Sequence, residues 1–185
     1  MGDLHLGKAM HFRKAGIFMP AQSAYKDYEV LHELIVRHRP EQVYFLGDLF
    51  HSQHNSEWNQ LGAFIENHND VAFTLIKGNH DILKDALYEQ YSIRMIENSI
   101  VIDNLAFSHE PLDVLQEGMI NIAGHIHPGC VIRSAGRQQL RLPCFYLKEN
   151  IFLLPAFGQL TGLQILDPSD ADIFAIFPDR VMLLQ

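Results

Sequence analysis

Apolar positions recur at two different periods along the first half of the chain. Over residues 22–38 the spacing is helical: Tyr28, Leu31, Leu34 and Ile35 share a face, and Pro40 ends the run. Residues 56–68 repeat that period with Trp58, Leu61 and Ile65, and residues 82–91 predict a third helix. Between them, 43–46 and 71–76 are short continuous apolar runs, the pattern of strands covered on both faces. Helical and extended segments therefore alternate, which predicts βαβ units around a mostly parallel sheet.

From Ser99 onward the pattern changes to short strands. Residues 99–102 and 105–107 flank Asp103-Asn104, a dipeptide suited to a tight turn. Further strands are expected at 119–123, 131–134, 140–147, 151–154, 162–166, 173–176 and 181–184. No repeat, linker or low-complexity stretch interrupts them, so one α/β domain with two sheets is expected over 1–185. Composition agrees: 48% hydrophobic and 19% charged residues give a real core and exclude long disorder. No apolar run reaches the roughly 18 residues of a membrane span. His5, Lys8, His11, Arg13 and Lys14 come too early for a secretory leader. Cys130 and Cys144 make no disulfide framework and read as free thiols of a reducing cytoplasm. A formal net charge of −8 excludes a protein that grips nucleic acid by bulk electrostatics. Any such contact must be local or carried by bound cations.

Eleven histidines shift attention to chemistry. Polar clusters stand directly after the apolar runs: Gly47-Asp48-Leu49-Phe50-His51-Ser52, Gly78-Asn79-His80-Asp81, Ser108-His109-Glu110-Pro111 and Gly124-His125-Ile126-His127-Pro128-Gly129. Gly2-Asp3-Leu4-His5 stands at the chain start. In open α/β sheets, sites gather at the carboxyl ends of strands, so these loops are expected on one rim. Asp3 and His5, like His125 and His127, are two apart. In an extended segment each pair would aim both side chains one way, with Leu4 or Ile126 turned into the core. Nitrogen and oxygen donors without thiolate suit Mn, Fe or Zn rather than Ca or a structural zinc. The other histidines, His32, His38, His54 and His68, read as surface or satisfied core residues, and Arg133, Arg137 and Arg141 as the solvated edge of a hairpin.

The ordered set GDLH, GDLFH, GNHD, SH and GHIH resembles the calcineurin-like metallophosphoesterase superfamily, over residues 2–129. DLHLGK at 3–8, HFRKAGI at 11–17, SHEP at 108–111 and LPAFGQLTG at 154–162 resemble one branch of it, the bacterial DNA ligase-associated metallophosphoesterases of the PdeM type. The resemblance implies a four-layer α/β/β/α sandwich with two divalent metal ions, Mn before Fe or Zn, at one edge of both sheets. It implies that Asp3, His5 and His127 hold one metal, that Asn79, His109 and His125 hold the other, and that Asp48 bridges them. His80 would face the substrate, oriented by Asp81. Two ions bring four positive charges; Asp3, Asp48 and a bridging hydroxide cancel three, leaving about one to meet a phosphodiester. His51, Lys8, Arg13 and Lys14 are candidates for substrate contact, and Glu110 for orienting a ligand. The glycine-bearing loop at 157–162 reads equally as a turn or a substrate contact. The implied activity is a phosphodiesterase or nuclease of DNA repair, acting beside a DNA ligase and a helicase. A small-molecule phosphohydrolase is the alternative enzyme, and a non-catalytic scaffold a third reading that the full ligand set argues against. One departure stands out. Family members carry a strand ahead of the GDLH motif, whereas here only Met1 and Gly2 precede Asp3. The first strand is therefore expected to be missing, with its neighbours unpaired, Asp3 and His5 poorly held, and the α-amino charge weakening the first metal.

Overall fold

A computed structural model of the chain describes residues 1–18, 25–51, 55–133 and 139–184. The start of the expected helix at Gln22, together with Ser52, His54, Ser134 and Arg137, lies outside the described residues.

The first strand, β1 (Gln42–Leu46), turns Val43 and Phe45 to one side and Tyr44 to the other, and this alternation sets the layering. β1 pairs in parallel with β2 (Ala72–Ile76), and β2 with β3 (Ile93–Ile96). On the Val43/Phe45 face lie α2 (Lys26–His38), α3 (Ser56–Glu66) and α4 (Asp85–Glu89), preceded in the chain by α1 (Lys8–Lys14). Leu31 and Ile35 of α2, Trp58, Leu61 and Ile65 of α3, and Tyr88 of α4 bury against Phe45, Phe73 and Leu75 in one apolar core. Trp58 sits edge-on to both Phe50 and Tyr88. Asn55 caps α3 by accepting from the Glu57 amide.

On the opposite face Tyr44 stacks on Phe107, with ring centroids 5.9 Å apart, and so joins the first sheet to the second. That second sheet holds β4 (Ser99–Ile102), β5 (Leu105–Ser108), β6 (Ile120–Ala123), β7 (Pro128–Arg133), β8 (Gln139–Lys148), β9 (Ile151–Leu153), β10 (Gln164–Ile165), β11 (Asp172–Ile176) and β12 (Val181–Leu184). Its order is β10-β7-β8-β9-β6-β5-β4, with β11 joining β8 and β12 joining β11. The β4–β5 hairpin turns at Asp103, whose φ of 54° is the left-handed value such turns need. Ala123, Cys144, Leu153, Ile173 and Ala175 centre its own core. The mixed α/β architecture with two sheets agrees with the expectation. No helix of the described residues is long and apolar enough to cross a membrane.

Three elements differ from the expectation. Helix α1 and strand β3 were not foreseen, and the helix expected at 82–91 shrinks to Asp85–Glu89, because Lys84 is extended with ψ 138°. The N-terminal segment also differs. It is not an assigned strand, yet Met1–Asp3 is paired on both sides. Leu46 N–H donates to Met1 O (2.7 Å) and Asp3 N–H to Gly47 O (3.2 Å), while Phe157 N–H donates to Gly2 O (3.0 Å) and Gly158 N–H to Asp3 O (3.1 Å). The segment thus runs between β1 and the loop after β9. Beside it lies an apolar cavity of about 360 Å³ lined by Met1, Leu34, Ile35, Tyr44, Phe107 and Leu154.

Candidate metal centre

Strand register brings the candidate residues to one rim. Leu46 pairs with Ile76, so the loops 47–51 and 77–81 leave the first sheet side by side. Ser108 pairs with Ala123, so 109–110 and 124–127 leave the second sheet in the same way. The backbone there is unusual. Five of the seven candidate ligands have positive φ: Asp3 (58°), His5 (49°), Asp48 (50°), His125 (66°) and His127 (51°). Non-glycine residues rarely adopt this region and cluster at functional sites when they do. The extended alternation expected for Asp3/His5 and His125/His127 is therefore corrected. Asp3 and His5 still converge, but His125 and His127 part company and enter different groups.

One group is Asp3, His5 and His127; the other is Asp48, His109 and His125. Within each, the donor atoms lie within 4.8 Å of one another. Asp48 stands between them: Oδ2 is 3.7 Å from His5 Nε2 and Oδ1 is 3.5 Å from His109 Nε2. Hydrogen bonding sets the tautomer. His109 Nδ1 lies 3.0 Å from the Leu46 carbonyl and so carries the proton. Its Nε2 lone pair then faces the Asp48 carboxylate, acceptor against acceptor, which a cation between them would satisfy. Likewise His5 Nδ1 is turned to His51 Nδ1 (3.1 Å), while His5 Nε2 faces Asp48 and His127. Burial, then the charges of Lys8, His51, His127 and His80, hold the His5 pKa far below its usual value. Its imidazole is neutral and free to donate a lone pair. These residues fit a pair of divalent cations.

Close packing keeps the loops in place. Gly47 has φ 75°, and a Cβ there would lie 2.1 Å from His109 Nδ1. A Cβ on Gly78 would lie 2.4 Å from the Asp48 amide. Asp81 is fully buried, and its carboxylate accepts from the amides of Leu49 (3.0 Å), Phe50 (3.1 Å) and Gly78 (2.9 Å). Burial raises its pKa to about 6, with the Gly78 and Phe50 amides pulling the other way and the charge of Asp48 adding to the rise. Asp81 was expected to orient the His80 ring; its carboxylate instead ties the Asp48 loop to the Asn79 loop. His80 is exposed at the rim. Its amide donates to Asp48 Oδ1 (2.9 Å), and its ring lies against His51, centroids 4.2 Å apart.

The remaining candidates divide. His51 lies among the histidines, touching His5 and His80, with a pKa lowered to about 4 by burial first and then by His80 and Lys8. Lys8 is half-buried at the start of α1, and its amine feels Asp48 and Asp3. Burial raises the pKa of Glu57, and the charge of Arg13 and then the Met10 and Gly7 amides at the start of α1 pull it the other way. Lys14 is exposed at the far end of α1. The loop at 157–162 braces the Asp3 segment: besides the bonds to Gly2 and Asp3, the Gln159 amide donates to Asp27 (3.3 Å). The expectation that Asp3 and His5 hang on a loose end is corrected, since Asp3 and Leu4 are 0% and 1% exposed. The amino group is corrected too. It donates to Tyr44 O (2.8 Å), and burial lowers its pKa to about 6, so it is mostly neutral at pH 7.

Sequence reasoning did not find Asn121. Fully buried in β6, it donates to Ser108 Oγ (2.8 Å) and Ala106 O (2.9 Å) and accepts from the Leu112 amide (2.9 Å). The available signal was a lone polar residue inside an apolar strand.

The family model for the calcineurin-like phosphoesterases matches residues 1–149. No curated sequence matches the chain. Among solved structures, the crystal structure of the nuclease MPE from Pseudomonas putida is similar at 29% identity with a TM-score of 0.82, covering 100% of this chain and 86% of that one. The phosphoesterase Yfce from E. coli is similar at 14% identity with a TM-score of 0.45, covering 80% of each chain.

Proposed function

The chain belongs to the calcineurin-like phosphoesterase family and is a metal-dependent phosphoesterase; from that premise we propose a two-metal phosphodiesterase that cleaves DNA. The observation that carries the two-metal reading is Asp48, which presents one carboxylate oxygen to each histidine group. In this reading Asp3, His5 and His127 hold one cation, Asn79, His109 and His125 the other, and Asp48 both. Two divalent cations held there would supply an activated water and neutralise charge on the phosphate; Mn is favoured over Fe or Zn. His80, exposed at the rim and supported by His51, holds the proton for the leaving oxygen. Lys8 lends positive charge beside Asp48 and Asp3, and Lys14 and Arg13 extend it along α1 toward flanking phosphates. Similarity to a nuclease at 29% identity supports a nucleic-acid substrate. The PdeM-type motifs support a role in DNA repair beside a ligase and a helicase, in the cytoplasm. A net charge of −8 favours the second reading, hydrolysis of a small phosphoester.

The test is turnover of metal-stripped protein given Mn, Fe or Zn, with bis-p-nitrophenyl phosphate, p-nitrophenyl phosphate and single- and double-stranded DNA compared. Diesters should exceed the monoester, and DNA should be cut at low salt. His80→Ala should keep its metals yet lose about 10²–10⁴-fold on DNA, the range for a general acid. The loss should be smaller on nitrophenyl esters, whose leaving group needs no proton. DNA left intact while small esters turn over would hand the assignment to the second reading.

A further inference from the structure

Glu110 projects from the turn after β5 and is half-exposed, so nothing about burial accounts for its position. Its surroundings do. Asn79 Nδ2 donates to Glu110 Oε1 at 2.8 Å. The same oxygen lies 3.9 Å from His125 Nε2. His125 Nδ1, at the other side of that ring, lies 3.1 Å from His109 Nε2, in the interior of the second group. One carboxylate oxygen thus meets the outward nitrogens of two neighbouring candidate ligands.

This matters because both side chains are ambiguous. An Asn amide can present either oxygen or nitrogen, and only the oxygen binds a cation. A His can present either ring nitrogen, and its outer partner decides which one is left with a lone pair. We propose that Glu110 is a positioning residue for one of the two metal sites, turning the Asn79 amide and the His125 ring so that Oδ1 and Nδ1 face the cation. The inference rests on the metal-site reading above.

The turn that carries Glu110 is held from below. Ser108 Oγ donates to Glu110 O at 2.6 Å, and buried Asn121 donates to that hydroxyl while accepting from the Leu112 amide. A satisfied buried network of this kind fixes its geometry, and the Glu110 backbone inherits the fix.

The experiment is Mn2+ titration of metal-stripped protein by calorimetry, with metal content checked by mass spectrometry. Wild type should take up two ions. Glu110→Ala should weaken one of the two about 10–100-fold, the usual cost of losing such an outer partner, and leave the other unchanged. Glu110→Gln still offers Asn79 an oxygen and should stay within a few-fold of wild type. Equal loss in both variants would make Glu110 a ligand itself and overturn the inference. Unchanged binding in Glu110→Ala would overturn it as well, while the two-metal reading stands. Asn79→Ala separates the two failures: if it too binds both ions normally, the ligand assignment beneath falls with it.

Discussion

Asp27 shows what burial does to one side chain in this fold. It is 8% exposed on α2, and its only hydrogen bond among the described residues comes from the Gln159 amide. Burial raises its pKa from 3.8 to about 6, against the smaller opposing pull of that amide and Lys26. The folded state therefore holds the proton more firmly than the unfolded one. Asp27 favours folding fully below about pH 3.8, and that contribution is lost as pH rises through 6. Asn at this position keeps the oxygen for Gln159 and cannot ionise. Asp27→Asn should be more stable than wild type above pH 6, with the difference shrinking towards zero near pH 4. Urea midpoints at pH 4, 5, 6 and 7.5 check this; a constant offset would show that charge is not the cause. The candidate ligands make the contrasting case at the same scale. Residue type and order single out Asp3, Asp48, His125 and His127 as candidates, but not the left-handed backbone that carries them. Nothing in a side chain announces that its own φ will be forced positive by the loops packed around it.

Elements were legible where one period dominated. α2, α3, β1, β2 and the β4–β5 hairpin follow from apolar spacing and turn residues alone. β3 was hidden because Arg94 interrupts its apolar run and the turn before it uses Ser92, with φ 58°, where a glycine would have signalled the break. α1 was hidden because its charged residues read as a solvated face and its start, Gly7, carries no side-chain cap. The rim was legible because glycines end the strands, though the motif could not say what each glycine avoids. For Gly47 that is His109. Gly47→Ala should lose about 1–2 kcal/mol to the left-handed backbone alone. It should lose more by pushing His109 off the Leu46 carbonyl, and Mn2+ uptake should fall. Gly118 is the control, with φ 81° and nothing within 4 Å of its would-be Cβ. Gly118→Ala should show only the backbone cost. Equal destabilisation of the two variants, measured by urea, would mean that the close approach to His109 imposes nothing.

At the scale of the whole molecule two facts pull apart: a net charge of −8 and a site that faces phosphate. A polyanion is repelled by the molecule as a whole, so any DNA contact must come from the few cations near the rim. α1 carries the candidates, but not equivalently. Lys8 is half-buried and feels the charges of Asp48 and Asp3, and Arg13 acts on the charge of buried Glu57, so both bear on the fold or the candidate metal site as well as on a ligand. Lys14 is the exposed cation of the three and can meet a phosphate without any structural duty. The prediction separates these roles. For single-stranded DNA measured from 50 to 200 mM salt, Lys14→Gln should reduce the slope of log Kd against log salt by about 0.7, the value for one phosphate contact. Its melting temperature should be that of wild type. Arg13→Gln should also weaken binding, but it leaves Glu57 buried without its counter-charge and should lower the melting temperature as well. If Lys14→Gln and wild type give the same Kd and the same slope, α1 is not the path of the DNA, and the negative molecule would be better matched to a small phosphoester.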